Sequence, residues 1–273
     1  MTSETVGQPS IVLDHVSKWF NKRSTRSFKD ALINWLTRKP VRSQQFQALK
    51  DVSFVINEGE SVAVMGLNGS GKSTTLKLVS GVLRPDEGEV LTRGRIAGLI
   101  EVGAGFHPDL TGRENVFLNA AILGMTEKET KERFDEILEF SGIGDFIDQE
   151  VKHYSSGMFM RLAFSVAIHV ALDVLLVDEV LSVGDAPFRE KCSIKLKEMA
   201  EAGITMMIVS HSASQVRELC RRGIVIRKGE VVFDGDIEDA LAVLEGKEPQ
   251  KQRPSRTWRS SLRITRKPVR PTR

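Results

Sequence analysis

Residues 61–73 read Ser-Val-Ala-Val-Met-Gly-Leu-Asn-Gly-Ser-Gly-Lys-Ser, and this stretch decides the fold. Ser61–Met65 predict a short buried strand, and a helical sequence starts at about Lys72. The turn between them follows the pattern G-x4-G-K-[ST], which binds phosphate when a strand precedes it and a helix follows. Its glycines let backbone N–H groups point at a phosphate, and the positive end of the helix adds to the attraction. The alternative is an ordinary glycine turn, and the flanking elements argue against it.

The residues of this loop have separate expected roles. Lys72 should reach the β- and γ-phosphates and take part in catalysis, while the hydroxyl of Ser73 should bind Mg²⁺. We therefore expect ATP and Mg²⁺ as cofactors. The expected nucleotide-binding residues in the loop are Gly66, Asn68, Gly69, Ser70, Gly71, Lys72, Ser73 and Thr74.

A second apolar strand, Val174–Val177, is followed directly by Asp178 and Glu179. Carboxylates at the end of a buried strand are costly unless they are paired or bind a metal. We expect Asp178 to hold Mg²⁺ and Glu179 to act as the general base for an attacking water. Taken alone, the pattern more often marks a plain strand with two solvated acids, and the phosphate loop favours the catalytic interpretation. A GTPase is disfavoured, because the one Asn-Lys pair, Asn21-Lys22, lacks the Asp that would read the base.

Strands and helices alternate along most of the chain, which predicts an α/β fold. We expect a P-loop NTPase (RecA-like) core, an antiparallel β subdomain at the start and an inserted α-helical subdomain at about 106–165. Two capping-box patterns, Thr111 with Glu114 and Thr126 with Glu129, predict helix starts within the insertion. Strands are expected at 11–20, 52–56, 89–91, 205–209, 223–227 and 230–233, and helices at about 156–171, 188–202 and 213–220.

Composition and charge exclude several classes of protein. Of the 273 residues, 41% are hydrophobic and 27% are charged, which is ordinary for a globular chain. The formal net charge is +3, but basic residues concentrate in 21–45 and 247–273, so the rest is acidic. A nucleic-acid binder is therefore disfavoured, and basic segments near an anionic surface are favoured. Two cysteines exclude a disulfide scaffold. No apolar run is long enough to span a bilayer, so a membrane partner must do so.

The sequence Tyr154-Ser155-Ser156-Gly157-Met158 precedes Asp178 by about twenty residues and opens a helix. Taken alone it is an ordinary helix start. At this spacing it resembles the signature motif of ATP-binding-cassette (ABC) ATPases, commonly Leu-Ser-Gly-Gly-Gln, with Ser156 and Met158 departing from the family's Gly and Gln. The resemblance covers about 11–246. It implies a homodimer in which Ser155, Ser156, Gly157 and Met158 contact ATP held by the loop of the facing protomer.

The same resemblance assigns further roles. Asp185 falls in the D-loop, which contacts the facing protomer, and His211 matches the switch histidine near the γ-phosphate. A purely structural histidine is the alternative. Phe20 stands where the family stacks an aromatic on adenine, with Trp19 as a second candidate and core packing as the alternative. Glu101 occupies the Q-loop position, where the family has Gln.

Residues 100–115 together with 154–158 resemble one branch of the family, the ATPase subunits that export O-antigen, teichoic acid and cell-wall galactan, the actinobacterial galactan exporters among them. The resemblance implies an ATPase that drives a lipid-linked polysaccharide across the cytoplasmic membrane. Such a subunit lies peripherally on the cytoplasmic face and binds integral membrane permease subunits. A drug or lipid exporter or a solute importer is the alternative, and a non-transport ABC ATPase is a more distant one. Only 27 residues follow Gly246, so we expect no C-terminal sugar-binding domain.

We expect one ATPase domain over 1–246 and a separate basic tail over 247–273. Within the domain, the basic insert 21–45 has apolar residues at helical spacing: Phe28, Ala31, Leu32, Trp35 and Leu36. This spacing predicts an amphipathic helix against anionic lipid, or else a surface helix packed on its own domain. The tail contains four prolines and few large apolar residues, which predicts disorder. It either contacts anionic lipid or only keeps the chain soluble.

Overall fold

The computed structural model describes residues 7–21, 45–99, 103–178, 184–210 and 212–248. The predictions for the insert and the tail therefore lie almost entirely outside the described residues. In chain order the strands are β1 (Pro9–Asn21), β2 (Gln45–Asn57), β3 (Ser61–Met65), β4 (Glu87–Thr92), β5 (Ile96–Gly98), β6 (Val174–Val177), β7 (Thr205–Val209), β8 (Arg222–Arg227) and β9 (Glu230–Asp236). The helices are α1 (Lys72–Val79), α2 (Gly112–Ile122), α3 (Glu127–Ser141), α4 (Ser156–His169), α5 (Ala186–Glu201), α6 (Ala213–Leu219) and α7 (Ile237–Leu244).

The larger sheet has six strands in the order β5-β6-β7-β3-β8-β9. All neighbouring pairs are parallel except β8 and β9, which form a hairpin. Every residue of β6 and β7 is buried, as expected for parallel strands covered on both faces. These short runs of Val, Leu, Ile and Met were predicted as strands, and the structure confirms them.

A smaller antiparallel sheet has the order β2-β1-β4. Its apolar residues pack with Val62 and Val64 of β3 and with Leu76 of α1 in one cluster, so this sheet closes over the central strand. The strands β1 and β2 are 13 residues long, and the sequence predicted only parts of them. Most of the difference is in β2, whose first half was missed because the register slips near Asp51, where the backbone has φ of 51° and the alternation of buried side chains is broken.

Helices α2, α3 and α4 and two short 3-10 turns, Gly144–Asp148 and Val151–His153, lie between β5 and β6. Both predicted capping boxes are present, with Thr111 and Thr126 each accepting from the backbone N–H three residues later. Buried residues of these helices join the cluster that also contains Ala63 and Leu175 of the sheet. The fold is therefore the expected α/β core with an antiparallel β subdomain and an α-helical insertion.

Some boundaries differ from the prediction. Helix α4 ends at His169 rather than near residue 171, because the backbone of Val170 is extended. The three-residue strand β5 and the helix α7 were not predicted. Among the described residues, no helix has both the length and the apolar character needed to cross a bilayer.

The parallel sheet sets the position of the functional residues. Strand β3 lies between β7 and β8, and β6 lies beside β7. The carboxyl ends of parallel strands meet at one edge, where ligands of open α/β sheets bind. The glycine-rich loop follows β3 at this edge and Asp178 follows β6, so the sheet brings the two together.

Candidate nucleotide-binding site

The glycine-rich loop follows a path that favours glycine at several of its positions, Gly69 and Gly71 among them. Gly69 has φ of +76° and Gly71 has φ of +116°, both in the left-handed region. A Cβ on Gly71 would lie 2.6 Å from Leu49 Cδ2 and 2.8 Å from Ala48 O. The glycine therefore lets the loop pack directly against β2 before α1 begins at Lys72.

Lys72 places its positive charge inside this turn. The residue is only 6% exposed, and Nζ donates to Gly66 O at 2.8 Å and to Leu67 O at 3.2 Å. A buried ammonium needs such partners, because desolvation of an unpaired charge is costly. The loop thus presents a fixed cation together with the N-terminal end of α1, which suits a phosphate group.

The loop forms one wall of a cleft of about 600 Å³. The lining residues are Phe46, Ala48, Asn68, Gly69, Gly71, Lys72, Ser73, Thr74 and Asp178. The structure thus brings most of the predicted loop residues together with Asp178. The hydroxyl of Ser73 and the carboxylate of Asp178 are the hard oxygen ligands that Mg²⁺ prefers.

The aromatic wall of this cleft is Phe46, which the sequence reasoning missed. Phe20, the predicted adenine contact, pairs with Phe46 across β1 and β2, yet only Phe46 is among the described residues that line the cleft. Phe20 instead has Lys18 Nζ 5.8 Å from its ring centre. The available signal was the alternation from Gln45 to Ala48, which starts β2 well before residue 52.

The signature-like segment lies at the exposed start of α4. Ser155 is the N-cap residue, and its Oγ accepts from Met158 N at 3.2 Å. Ser155 and Ser156 are both exposed, whereas Gly157 and Met158 are partly buried. In the part of the chain that the structure describes, residues 155–158 do not line the cleft with the loop. The helix start therefore faces outward as a separate polar surface.

Tyr154 anchors that helix start from behind. Its hydroxyl donates to Phe146 O at 2.6 Å, and a Cβ on Gly112 at the start of α2 would collide with its oxygen. The side chain of Tyr154, the residue before the N-cap, thus contacts both α2 and a 3-10 turn. Burial raises the pKa of Tyr154 to about 12.

Two buried asparagines of α2, also missed by the sequence reasoning, hold the loop that enters the helical part. Asn115 Nδ2 donates to His107 O, Leu110 O and Thr111 O at 2.9–3.1 Å, and its Oδ1 accepts from His107 N at 2.7 Å. One turn later, Asn119 Nδ2 donates to Ala104 O at 2.9 Å. This stretch follows Glu101 in sequence and is fixed to the helical part by side chains.

The remaining predicted residues are placed as follows. Asp185 caps α5, its Oδ1 accepting from Phe188 N at 3.1 Å, and its Oδ2 lies 4.0 Å from Arg161 Nη1. Glu101, Glu179 and His211 lie outside the described residues, so their predicted roles stay predictions.

Replacing Tyr154 with Phe should destabilise the chain by about 1 kcal/mol at neutral pH, because Phe146 O loses its partner. The folded pKa lies above the ordinary value of 10.0, so this stabilisation is complete below pH 10 and is lost as the pH rises towards 12. Tyr154 is the single tyrosine of the chain, so the ultraviolet absorbance of tyrosinate reports it directly. A midpoint near 12 in the folded chain is expected, and a midpoint near 10 would contradict the buried hydroxyl.

Sequence comparison with known proteins gives consistent matches. The family described as "ABC transporter" matches residues 49–182. The O-antigen export system ATP-binding protein RfbB of Klebsiella pneumoniae is 48% identical over 198 residues, which cover 72% of this chain and 80% of that protein. The ABC transporter protein AbcA of Aeromonas salmonicida is 51% identical over 70% of this chain and 62% of its own length. The teichoic acids export ATP-binding protein TagH of Listeria innocua is 42% identical over 84% of this chain and 68% of its own length.

Solved structures agree with the sequence matches. The ATP-binding cassette MJ0796, in a dimeric post-hydrolysis state bound to ADP and Pi, aligns with a TM-score of 0.65 and 26% identity. That alignment covers 83% of this chain and 98% of MJ0796. Fold, phosphate loop and relatives together lead to one conclusion: the chain belongs to the ATP-binding subunits of ABC transporters, in the branch that includes the O-antigen and teichoic acid export proteins.

Proposed function

We propose that two copies of this chain bind ATP between them and that their closure drives export of a lipid-linked polysaccharide. The supporting observation is that the two candidate phosphate-binding surfaces lie apart within one copy. The loop 66–73 lines a cleft, while Ser155 starts α4 on an exposed surface outside that cleft. Residues 67–69, on the outer edge of the loop, are also exposed. A second copy related by twofold symmetry would cover each loop with the partner's helix start.

In this proposal each candidate site residue has a distinct role in binding or hydrolysing ATP. Lys72 and the backbone N–H groups of the loop bind the β- and γ-phosphates, and Ser73 and Asp178 would hold Mg²⁺. The metal supplies charge neutralisation at the phosphates when it is bound. Glu179 accepts a proton from the attacking water, and His211 contacts the γ-phosphate. Asp185 and residues 155–158 contact the facing copy, and Glu101 occupies the Q-loop position.

The direction and cargo come from the relatives. RfbB is named as the ATP-binding protein of an O-antigen export system, and TagH as the ATP-binding protein for export of teichoic acids. By that kinship the chain would sit peripherally at the cytoplasmic face of the membrane, bound to permease subunits. The galactan of actinobacterial walls is one candidate cargo, and a different transporter, for a drug, a lipid or an imported solute, is the second candidate function. The basic segments 21–45 and 247–273 would contact the anionic membrane surface.

Replacing Phe46 with Ala should raise the Kd for ATP by about tenfold, because one base–aromatic stack is worth roughly 1–3 kcal/mol. The matched substitution Phe20→Ala should change the Kd by less than about twofold, since Phe20 does not line the cleft. Calorimetric titration of both variants with ATP measures the difference. If Phe20→Ala were the more damaging change, the adenine would lie on Phe20 and the assignment of Phe46 would be wrong.

Replacing Glu179 with Gln in the complex purified with its membrane subunits tests the transport function. Loss of the general base should slow ATP hydrolysis by about a hundredfold or more, while ATP binding and the ATP-bound dimer persist. The control is Glu198→Gln on α5. Glu198 is exposed and pairs with Lys195 at 3.3 Å, so this variant should hydrolyse ATP at the wild-type rate.

The cargo is tested on the same complex in lipid vesicles. A polyprenyl-diphosphate-linked glycan should stimulate hydrolysis by the wild type and leave the Glu179→Gln variant unstimulated. Stimulation by a hydrophobic drug, with none by the glycan lipid, would instead favour the second candidate function.

A further inference from the structure

The turn between β8 and β9 lies directly against the phosphate loop. Lys228 has φ of +51° and Gly229 has φ of +84°, so both central residues of this two-residue hairpin turn are left-handed. Such turns match the twist of antiparallel strands and require a residue that tolerates positive φ. The two residues thus form a tight hairpin turn, closed by the pairing of Arg227 with Glu230 at the ends of the strands.

Gly229 links the loop to β2 through its own backbone. Its N–H donates to Ser70 O at 2.9 Å, and its carbonyl oxygen accepts from Lys50 N at 2.8 Å. A side-chain contact supports the same link, because Lys50 Nζ lies 3.2 Å from Glu230 Oε1. Gly229 therefore joins the phosphate loop to the strand that carries Phe46.

The packing around this link leaves no room for a side chain. A Cβ on Gly229 would lie 2.7 Å from Ala48 O and 3.2 Å from Leu49 Cα. The same oxygen, Ala48 O, would lie 2.8 Å from a Cβ on Gly71. The peptide of Ala48 is thus held between a glycine of the phosphate loop and a glycine of the hairpin turn, and Ala48 itself lines the cleft.

We propose that Gly229 is a positioning residue that sets the spacing between the phosphate-binding and base-binding walls of the cleft. It touches no nucleotide and acts through Ser70 and β2. The proposal rests on the proposed placement of ATP in this cleft. The base and the triphosphate of one ATP molecule are covalently linked, so displacing one wall relative to the other weakens binding of the whole molecule while each wall keeps its own contacts.

The test compares ATP with inorganic tripolyphosphate, which uses only the phosphate loop. In the full-length chain with Mg²⁺, Gly229→Ala should raise the Kd for ATP by about tenfold and change the Kd for tripolyphosphate by less than about twofold. Gly229→Asn separates the two possible causes, since Asn tolerates positive φ and still carries the colliding Cβ. It should weaken ATP binding like the alanine variant.

Gly203→Ala is the matched control. Gly203 has φ of +83°, and a Cβ there meets no described atom within 4 Å. This variant carries the backbone strain of positive φ without a collision and away from the cleft, so it should lose some thermal stability and keep wild-type binding of both ligands.

Three results would overturn the proposal. These are an equal loss of ATP and tripolyphosphate affinity in both Gly229 variants, no loss of either, or full ATP affinity in Gly229→Asn. A failure of the proposed function is distinguishable, because the wild-type chain would then bind ATP no better than tripolyphosphate.

Discussion

The hydrogen bonds from Lys72 Nζ to the carbonyl oxygens of Gly66 and Leu67 are the interaction on which the site depends. They hold a nearly buried cation in the bend of the loop, where a phosphate can replace the neutral carbonyls as its partner. The bend stays open because β3 is fixed on both sides, by β7 and β8. The parallel sheet therefore fixes the carboxyl end of β3, from which the phosphate loop starts.

A second constraint is the close approach of the antiparallel sheet. Strand β2 lies against the loop at Ala48, and Phe46, two residues earlier on the same strand, forms the aromatic wall of the cleft. Near the other end of β2, Arg222 of β8 donates to Val55 O at 2.9 Å and pairs with Asp234 through both carboxylate oxygens. The helical part is held separately, by Tyr154 and the two asparagines of α2. One copy thus carries the phosphate loop and the start of α4 as two separate surfaces, and its own fold does not bring them together.

The parts of this arrangement that the sequence predicted are those fixed by neighbouring residues. The phosphate loop, the buried strands β6 and β7 and the two capping boxes each depend on contacts within a few positions, and all were predicted. Phe46 was not, because its place in the cleft depends on pairing with β1 across an intervening stretch of more than twenty residues. The first half of β2 was missed for a related reason, since the left-handed residue Asp51 shifts the alternation just before the predicted strand at 52–56. Asn115 and Tyr154 act through hydrogen bonds to backbone groups of irregular segments four to eight residues away, whose conformation no sequence pattern shows.

The shared-site arrangement is tested most directly by mixing two inactive variants of the full-length chain. The first variant carries Lys72→Ala, and the second carries both Ser155→Ala and Gly157→Val. Each alone disables both sites of its own homodimer. A mixed dimer has one site with both defects and one with none, so ATP hydrolysis should recover to about a quarter of the wild-type rate after equal mixing. A mixture as inactive as either variant alone would contradict the arrangement, as would full activity of the Ser155→Ala, Gly157→Val chain on its own.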